Sequence, residues 1–195
     1  MTIRRFLVCF NDFSIDEAHV KSGRNLPNVV VSCRCVNVGL FLSGDMRRDV
    51  EVSIAAGSPS GMTVFSFPGR TLRRVSPDER SISFFLWKAN MIAENLRHGE
   101  ESVLPNGIIV RKSDLETLMA QWNPEKVYLS TRDDSKVVKS GKIHHYGLFI
   151  YDQGGWGLSE VPVLKQAVKL HGSHSPERFI LEVNLDADYA RKEPV

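Results

Sequence analysis

Little in this sequence assigns it on sight. Its 195 residues include three cysteines, Cys9, Cys33 and Cys35. That odd number without C-x-x-C spacing indicates neither a disulfide framework nor a cysteine zinc site. No apolar run approaches the ~20 residues of a membrane-spanning helix. No secretory leader pattern opens the chain, so a cytoplasmic protein with no membrane partner is expected. The sequence has no G-x-G-x-x-G, no P-loop and no G-x-S-x-G elbow, so no motif specifies a nucleotide phosphate or a serine nucleophile. His144-His145, His171 and His174 have no carboxylate at metal-motif spacing, and no metal is expected. Repeats and low-complexity tracts are absent.

What is present is an ordinary globular composition, 42% hydrophobic and 25% charged, of a length that suits one domain over 1–195. The net charge is only +2, yet the cations are bunched: Arg4-Arg5, Arg47-Arg48, Arg70, Arg73-Arg74, Arg80 and Arg111-Lys112. Bunching of this kind suits phosphate binding, although any single pair also fits a solvated surface.

"RRFLVCF" (4–10) reads as an opening strand, followed by a polar loop with a helical turn. "NVVVSCRCVNVGLFLS" (28–43) is rich in valine, which favours strand, but it is long for one. Its Val30, Cys33, Val36 or Asn37 and Leu40 recur at helical spacing, which favours a buried helix. "DVEVSIAA" (49–56) alternates as a strand, "GSPSG" is a turn, and "MTVFSF" (62–67) is the next strand. In "VSPDERSISFFLWKANMIAENLRHG", Ser76 is the expected N-cap, Pro77 fills N1, Glu79 completes a capping box and Gly99 ends the helix. Its apolar stripe is Ile82, Phe85, Leu86, Ala89 and Ile92 or Ala93. Strands are expected at 106–112, 126–131 and 146–152. Helices are expected at 113–122, capped by Ser113, and at 158–168. Strand–helix alternation in the second half indicates an α/β domain with a largely parallel sheet.

Three stretches bear on chemistry. "YDQGGWGLSE" (151–160) follows an apolar strand, where a glycine-rich turn lets backbone approach a ligand closely, or is simply a turn. Its Trp156 either lies against a base or covers the loop. "GDMRRDVEV" (44–52) sets Arg47, Arg48 and Asp49 at the mouth of a strand, where side chains face solvent and ligand. In "SPDER", Asp78 and Glu79 suit the positive end of a helix dipole, whereas Arg80 does not and calls for an ion pair or an anion. Cys33 and Cys35 sit in an apolar run and read as packing residues.

Together, "SCRCVNVGLFLSGDMRRDVEV", "LRRVSPDERSISFFLWKA", "PNGIIVRK" and "VYLST" resemble the archaeal tRNA pseudouridine-54 N1-methyltransferases of the SPOUT (α/β-knot) superfamily. The likeness covers residues 3–152. It implies a SPOUT-type, mostly parallel sheet flanked by helices with a C-terminal trefoil knot, a homodimer, S-adenosylmethionine as cofactor, and tRNA or another structured RNA as substrate. The resemblance also implies roles. Arg47 and Arg48 would hold phosphates, Asp49 would orient the base or help accept its N1 proton, and Asp78 and Arg80 would support them. The cofactor would rest on Leu129, on the turn with Tyr151, Asp152, Gly155 and Gly157, and on Leu170 and Gly172. Two departures from the family pattern stand in the last third. Tyr151 replaces a small residue, and Phe179 and Ile180 fall where a histidine and a Cys or Ser are usual. A SPOUT-like RNA-binding dimer without transferase activity is the second reading, and a rise in melting temperature with S-adenosylmethionine separates the two.

Overall fold

The structure is a computed structural model that describes residues 3–131, 146–171 and 174–190. In chain order the elements are β1 (Arg4–Phe10), α1 (Glu17–Ser22), α2 (Pro27–Leu40), β2 (Phe41–Leu42), β3 (Asp45–Met46), β4 (Val50–Ser58) and β5 (Gly61–Pro68). There follow α3 (Glu79–Ala93), β6 (Glu101–Val103), β7 (Ile109–Ser113), α4 (Leu115–Trp122), β8 (Val127–Thr131), β9 (Gly147–Asp152), β10 (Val168–His171) and α5 (Pro176–Ala190).

β1 is apolar through Phe6 to Phe10 because it is covered on both faces, in the middle of an eight-stranded sheet ordered β10-β8-β9-β1-β4-β5-β7-β6. From β10 to β4 every pairing is parallel, and from β4 to β6 every pairing is antiparallel. The antiparallel wing begins at the "GSPSG" turn, which sends the chain straight back as β5. The short edge strand β6 was not expected, and it pairs with β7 through Glu101 opposite Arg111.

The two faces are covered unequally. α2, α3 and α5 pack over Phe6, Val8, Phe10, Val52, Ile54, Phe65 and Phe67. α4 packs over Leu7, Cys9, Ala55, Val64, Leu129, Leu148 and Ile150 on the other face. Of residues 28–43, those up to Leu40 are helical and Phe41–Leu42 form β2: Val29, Cys33, Val36 and Leu40 are buried at helical spacing, which overrides the β-branching of the valines. Close approach of α2 to the sheet requires Gly39, where a Cβ would lie 2.4 Å from Val52 Cγ2.

Several local expectations are corrected. α3 is capped by Asp78, whose carboxylate accepts the Ser81 N–H at 2.8 Å, while Ser81 Oγ accepts the Ser76 N–H. Aspartate is a strong cap, and Ser76 lies two residues too early to reach the first turn. The helix ends at Ala93, and Gly99, at φ +84°, serves the turn into β6. Asp114, rather than Ser113, caps α4 by accepting the Thr117 N–H at 2.7 Å. Residues 158–168 are not an α-helix. Two 3-10 turns, Leu158–Glu160 and Pro162–Leu164, lead into β10. Pro162 holds Val161 extended at φ −72°, ψ 123°, and so divides the segment. The expected knot places residues near 168–173 beside the 151–157 turn, and residues 172 and 173 lie outside the described residues, as do His144 and His145.

Candidate cofactor turn and RNA-facing edge

The parallel strands share a direction, so the sheet has an amino edge and a carboxyl edge, and the expected site residues divide between them. At the carboxyl edge, Asp152 ends β9. One carboxylate oxygen accepts the Trp156 N–H at 2.8 Å and the other accepts the Gly157 N–H at 3.2 Å. Asp152 therefore folds the turn rather than facing a ligand with both oxygens. Gly154 presses on β1, where a Cβ would come within 2.3 Å of the Asn11 nitrogen. Gly155 and Gly157 take left-handed φ of +73° and +66°, and a Cβ on either would meet nothing within 4 Å. The outer side of the turn is open. Trp156 Nε1 is buried and has no acceptor among the described residues.

The other expected cofactor residues are mostly core. Leu129 is 5% exposed and packs with Leu158 and Leu164, with its backbone inside the ladder between β9 and β10. Leu170 is buried on the opposite face, and Tyr151 is buried with its ring 5.7 Å from that of Phe179. Their side chains form a floor, and only backbone at the strand ends is left to meet a ligand. Gly172 lies outside the described residues.

At the amino edge stand Arg47, Arg48 and Asp49. Arg47 is 9% exposed. Its Nε and Nη2 donate to Asp188 Oδ2 of α5 at 3.1 and 2.8 Å, and its Nη1 donates to the Val38 carbonyl. Beside it Arg4, 0% exposed, donates from Nη1 to Asn184 Oδ1 at 2.5 Å and lies 3.9 Å from Asp188 Oδ1. This buried knot of Arg4, Arg47, Asn184 and Asp188 was not anticipated. Its only sequence signal is an asparagine on the buried face of a terminal helix. Arg48 is exposed and donates to the Gly69 carbonyl at 3.0 Å. Asp49 is half-buried, and its peptide oxygen accepts the Arg4 N–H at 2.9 Å. Asp78 and Arg80 border a cleft of about 480 Å³ together with Lys21 of α1 and Phe84.

A second polar system lies on the α4 face of the same edge. Glu51 is 5% exposed, 3.6 Å from Arg5 Nε, and burial raises its carboxyl above the usual range against the opposing pull of Arg5 and Arg111. The thiols are inert by environment: burial pushes Cys33 up to about 12 and raises Cys9 and Cys35 well above the usual value. Among the described residues no group of His, Cys, Asp and Glu could hold a metal ion, and no helix is long and apolar enough to cross a membrane.

An open glycine turn at the carboxyl edge of the parallel strands lies where α/β sheets admit a nucleotide-like ligand, in a protein of the α/β class. Comparison with a solved structure agrees on the fold. The crystal structure of Archaeoglobus fulgidus Nep1 bound to S-adenosylhomocysteine covers 99% of this chain and 100% of its own, with a TM-score of 0.60 at 10% identity. The architecture is SPOUT-type. The family model described as "Putative SAM-dependent RNA methyltransferase" matches residues 10–179, and the chain belongs to that family. Among curated relatives, the tRNA (pseudouridine(54)-N(1))-methyltransferase of Methanosarcina acetivorans is 33% identical over 127 residues, 65% of this chain and 57% of the relative. The enzyme of the same name from Methanococcus maripaludis is 55% identical over 58 residues, 29% of each. The matched region thus spans little more than half of the first relative and under a third of the second.

Proposed function

We propose that this chain is an S-adenosylmethionine-dependent RNA methyltransferase acting on N1 of a pseudouridine in tRNA, as a cytoplasmic homodimer with a knotted C-terminal segment. The observation that carries the reading is the Asp152-folded turn, with its unpaired Trp156 donor and open outer side, in a chain of this family. Such a turn fits a nucleoside ligand through its room for a flat ring and its Trp156 donor, since the N–H groups of 153, 154, 156 and 157 are already given to the Cys9 carbonyl and to Asp152. When bound, the cofactor supplies a methyl group carried on a positively charged sulfur. The residues that would hold it are those of the 153–157 turn, the ends of β8 and β10 beyond Leu129 and Leu170, and Gly172.

Asp49 orients the base and takes its N1 proton, a modest task because the methyl donor is already activated. Arg48 holds a phosphate, and Asp78 and Arg80 support the RNA beside the α1–α3 cleft. Arg47 acts through Asp188, fixing the entrance of β4 and hence the place of Asp49.

The separation of the two edges supports the homodimer. β1 runs from one to the other over seven residues, about 20 Å at ~3.3 Å per residue. Reacting atoms must approach to about 3–3.5 Å, and a gap of this size between Asp49 and the turn at Asp152 favours a site in which the two come from different copies. α5 carries a seam for the second copy: Leu181, Leu185 and Tyr189, spaced four apart, are 39%, 41% and 66% exposed. Antiparallel pairing of two such helices sets the amino edge of one copy beside the carboxyl edge of the other.

The test is a thermal melt with and without S-adenosylmethionine, followed by transfer of its labelled methyl group to a pseudouridine-containing tRNA transcript. At a hundredfold excess over Kd the ligand contributes about 2.7 kcal/mol, a rise of roughly 5–10 °C for a chain of this size. RNA binding with no thermal shift and no transfer would select the non-catalytic RNA-binding dimer instead.

A further inference from the structure

We propose that the loop from Gly69 to Val75, with Arg48, is a rigid phosphate-binding arc for the backbone of the RNA, an inference that rests on the RNA-methyltransferase reading. With Arg47 tied to Asp188, the amino edge needs other cations if it is to hold RNA. The loop supplies them in one run: "GRTLRRVSP" (69–77) has three arginines and no acid.

The loop is pinned from beneath. Leu72 and Val75 are 2% and 8% exposed, while Arg70, Arg73 and Arg74 between and beside them are all exposed. Its start is pressed onto the strand entrance, since a Cβ at Gly69 would lie 2.0 Å from the Arg47 carbonyl oxygen. Its middle is pressed onto the neighbouring turn, since a Cβ at Gly107 would lie 2.4 Å from the Thr71 carbonyl oxygen. The Arg73 N–H donates to the Asn106 carbonyl at 2.9 Å, and Arg48 Nη1 closes the arc on the Gly69 carbonyl at 3.0 Å.

Two features have no use in a merely solvated loop. Arg74 is held at φ +58°, a left-handed conformation that a side-chain-bearing residue adopts at a cost, although it is exposed and gains nothing by burial. Asn106, 5% exposed, keeps a buried Nδ2 donor without an acceptor among the described residues. Arg73 and Arg74 have no ion-pair partner among the described residues. Guanidinium groups carried on a fixed backbone lose less freedom on binding than those on a loose loop. Several of them close together, without exposed apolar surface among them, match a chain of phosphates.

The experiment titrates a tRNA transcript into the full chain at three salt concentrations, for wild type, Arg73→Ala, Arg74→Ala, Arg74→Gly and Arg97→Ala. Arg97 is an exposed arginine of the turn between α3 and β6 and serves as the charge control. Arg73→Ala and Arg74→Ala should each lower the log–log salt slope by about 0.7–0.9, and Arg97→Ala should leave it unchanged. Arg74→Gly should flatten the slope as Arg74→Ala does without lowering Tm, because glycine takes a positive φ without strain. Equal slopes for wild type and the Arg73 and Arg74 variants at matched folded fraction would overturn the arc and leave the RNA reading standing. Failure of wild type to bind the transcript at low salt would overturn both.

Discussion

Removing the carboxylate of Asp188 should destabilise the protein far more than its place in the last helix suggests. Asp188 is the anionic partner of Arg47 and lies within 3.9 Å of Arg4, whose side chains are 8% and 0% exposed, while its own is 33% exposed. Deleting one partner of a buried pair leaves an uncompensated charge and costs about 3–5 kcal/mol. Solvent reaches a third of Asp188, and Asn184 still accepts from Arg4, so Asp188→Ala should cost about 2 kcal/mol. For a chain of this length that is a fall in Tm of roughly 4–8 °C. Urea unfolding followed by circular dichroism should show a lower midpoint at unchanged m. The same helix provides a contrast in Arg178–Glu182, an exposed pair 2.9 Å apart, where Glu182→Ala should cost about 0.3 kcal/mol. Arg47→Met combined with Asp188→Leu should recover part of the loss, since an apolar pair needs no compensation. An Asp188→Ala variant within ~0.5 kcal/mol of wild type would refute the argument, because surface substitutions cost no more than that, and would free Arg47 for direct contact with RNA.

Three further outcomes are expected. Asp49→Asn and Asp152→Ala should each abolish methyl transfer alone, and mixing the two inactive proteins should restore a fraction of it. No recovery after subunit exchange would count against a site built from two copies. Cys9, Cys33 and Cys35 should react with a thiol reagent only on unfolding, with no acceleration in native protein between pH 7 and 9; a thiol that titrates in that interval would contradict the burial described. Glu51, whose carboxyl is raised by burial, binds its proton more tightly folded than unfolded. Its contribution is therefore largest in acid and is lost as pH rises from the ordinary carboxylate range through the raised value. Stability measured against pH should rise in Glu51→Gln relative to wild type across that interval, and a constant difference would refute the assignment.

Periodicity carried most of the fold. The spacing of Cys33, Val36 and Leu40 identified α2 against valine's preference for strand, and the apolar runs marked β1, β4, β5, β8 and β9. Short-range chemistry was legible only in outline, because Ser76 and Asp78 are both good caps two residues apart and only geometry shows which oxygen meets Ser81. Pro162 carried enough information to break a helix but not to announce that residues 168–171 would join a sheet edge through β8. The site was least legible where it depends on distant residues. Nothing near Arg47 in sequence points to Asp188, 141 positions away, nor anything near Arg4 to Asn184, 180 positions away.

The position of β1 also governs when the protein can become native during its manufacture. The strand leaves the ribosome well before its partners: β9, one of its two neighbours, begins at residue 147, and the amide that receives Arg4 lies at 184. At about 5–20 residues per second the nascent strand waits on the order of ten seconds with one edge open. During that interval β4 and β5 can form a hairpin against it, but β9 and β10, and the partner of a fully buried cation, do not yet exist. Commitment to the native state therefore waits until α5 has been made, and substitutions in α5 should act first on the yield of soluble protein in cells.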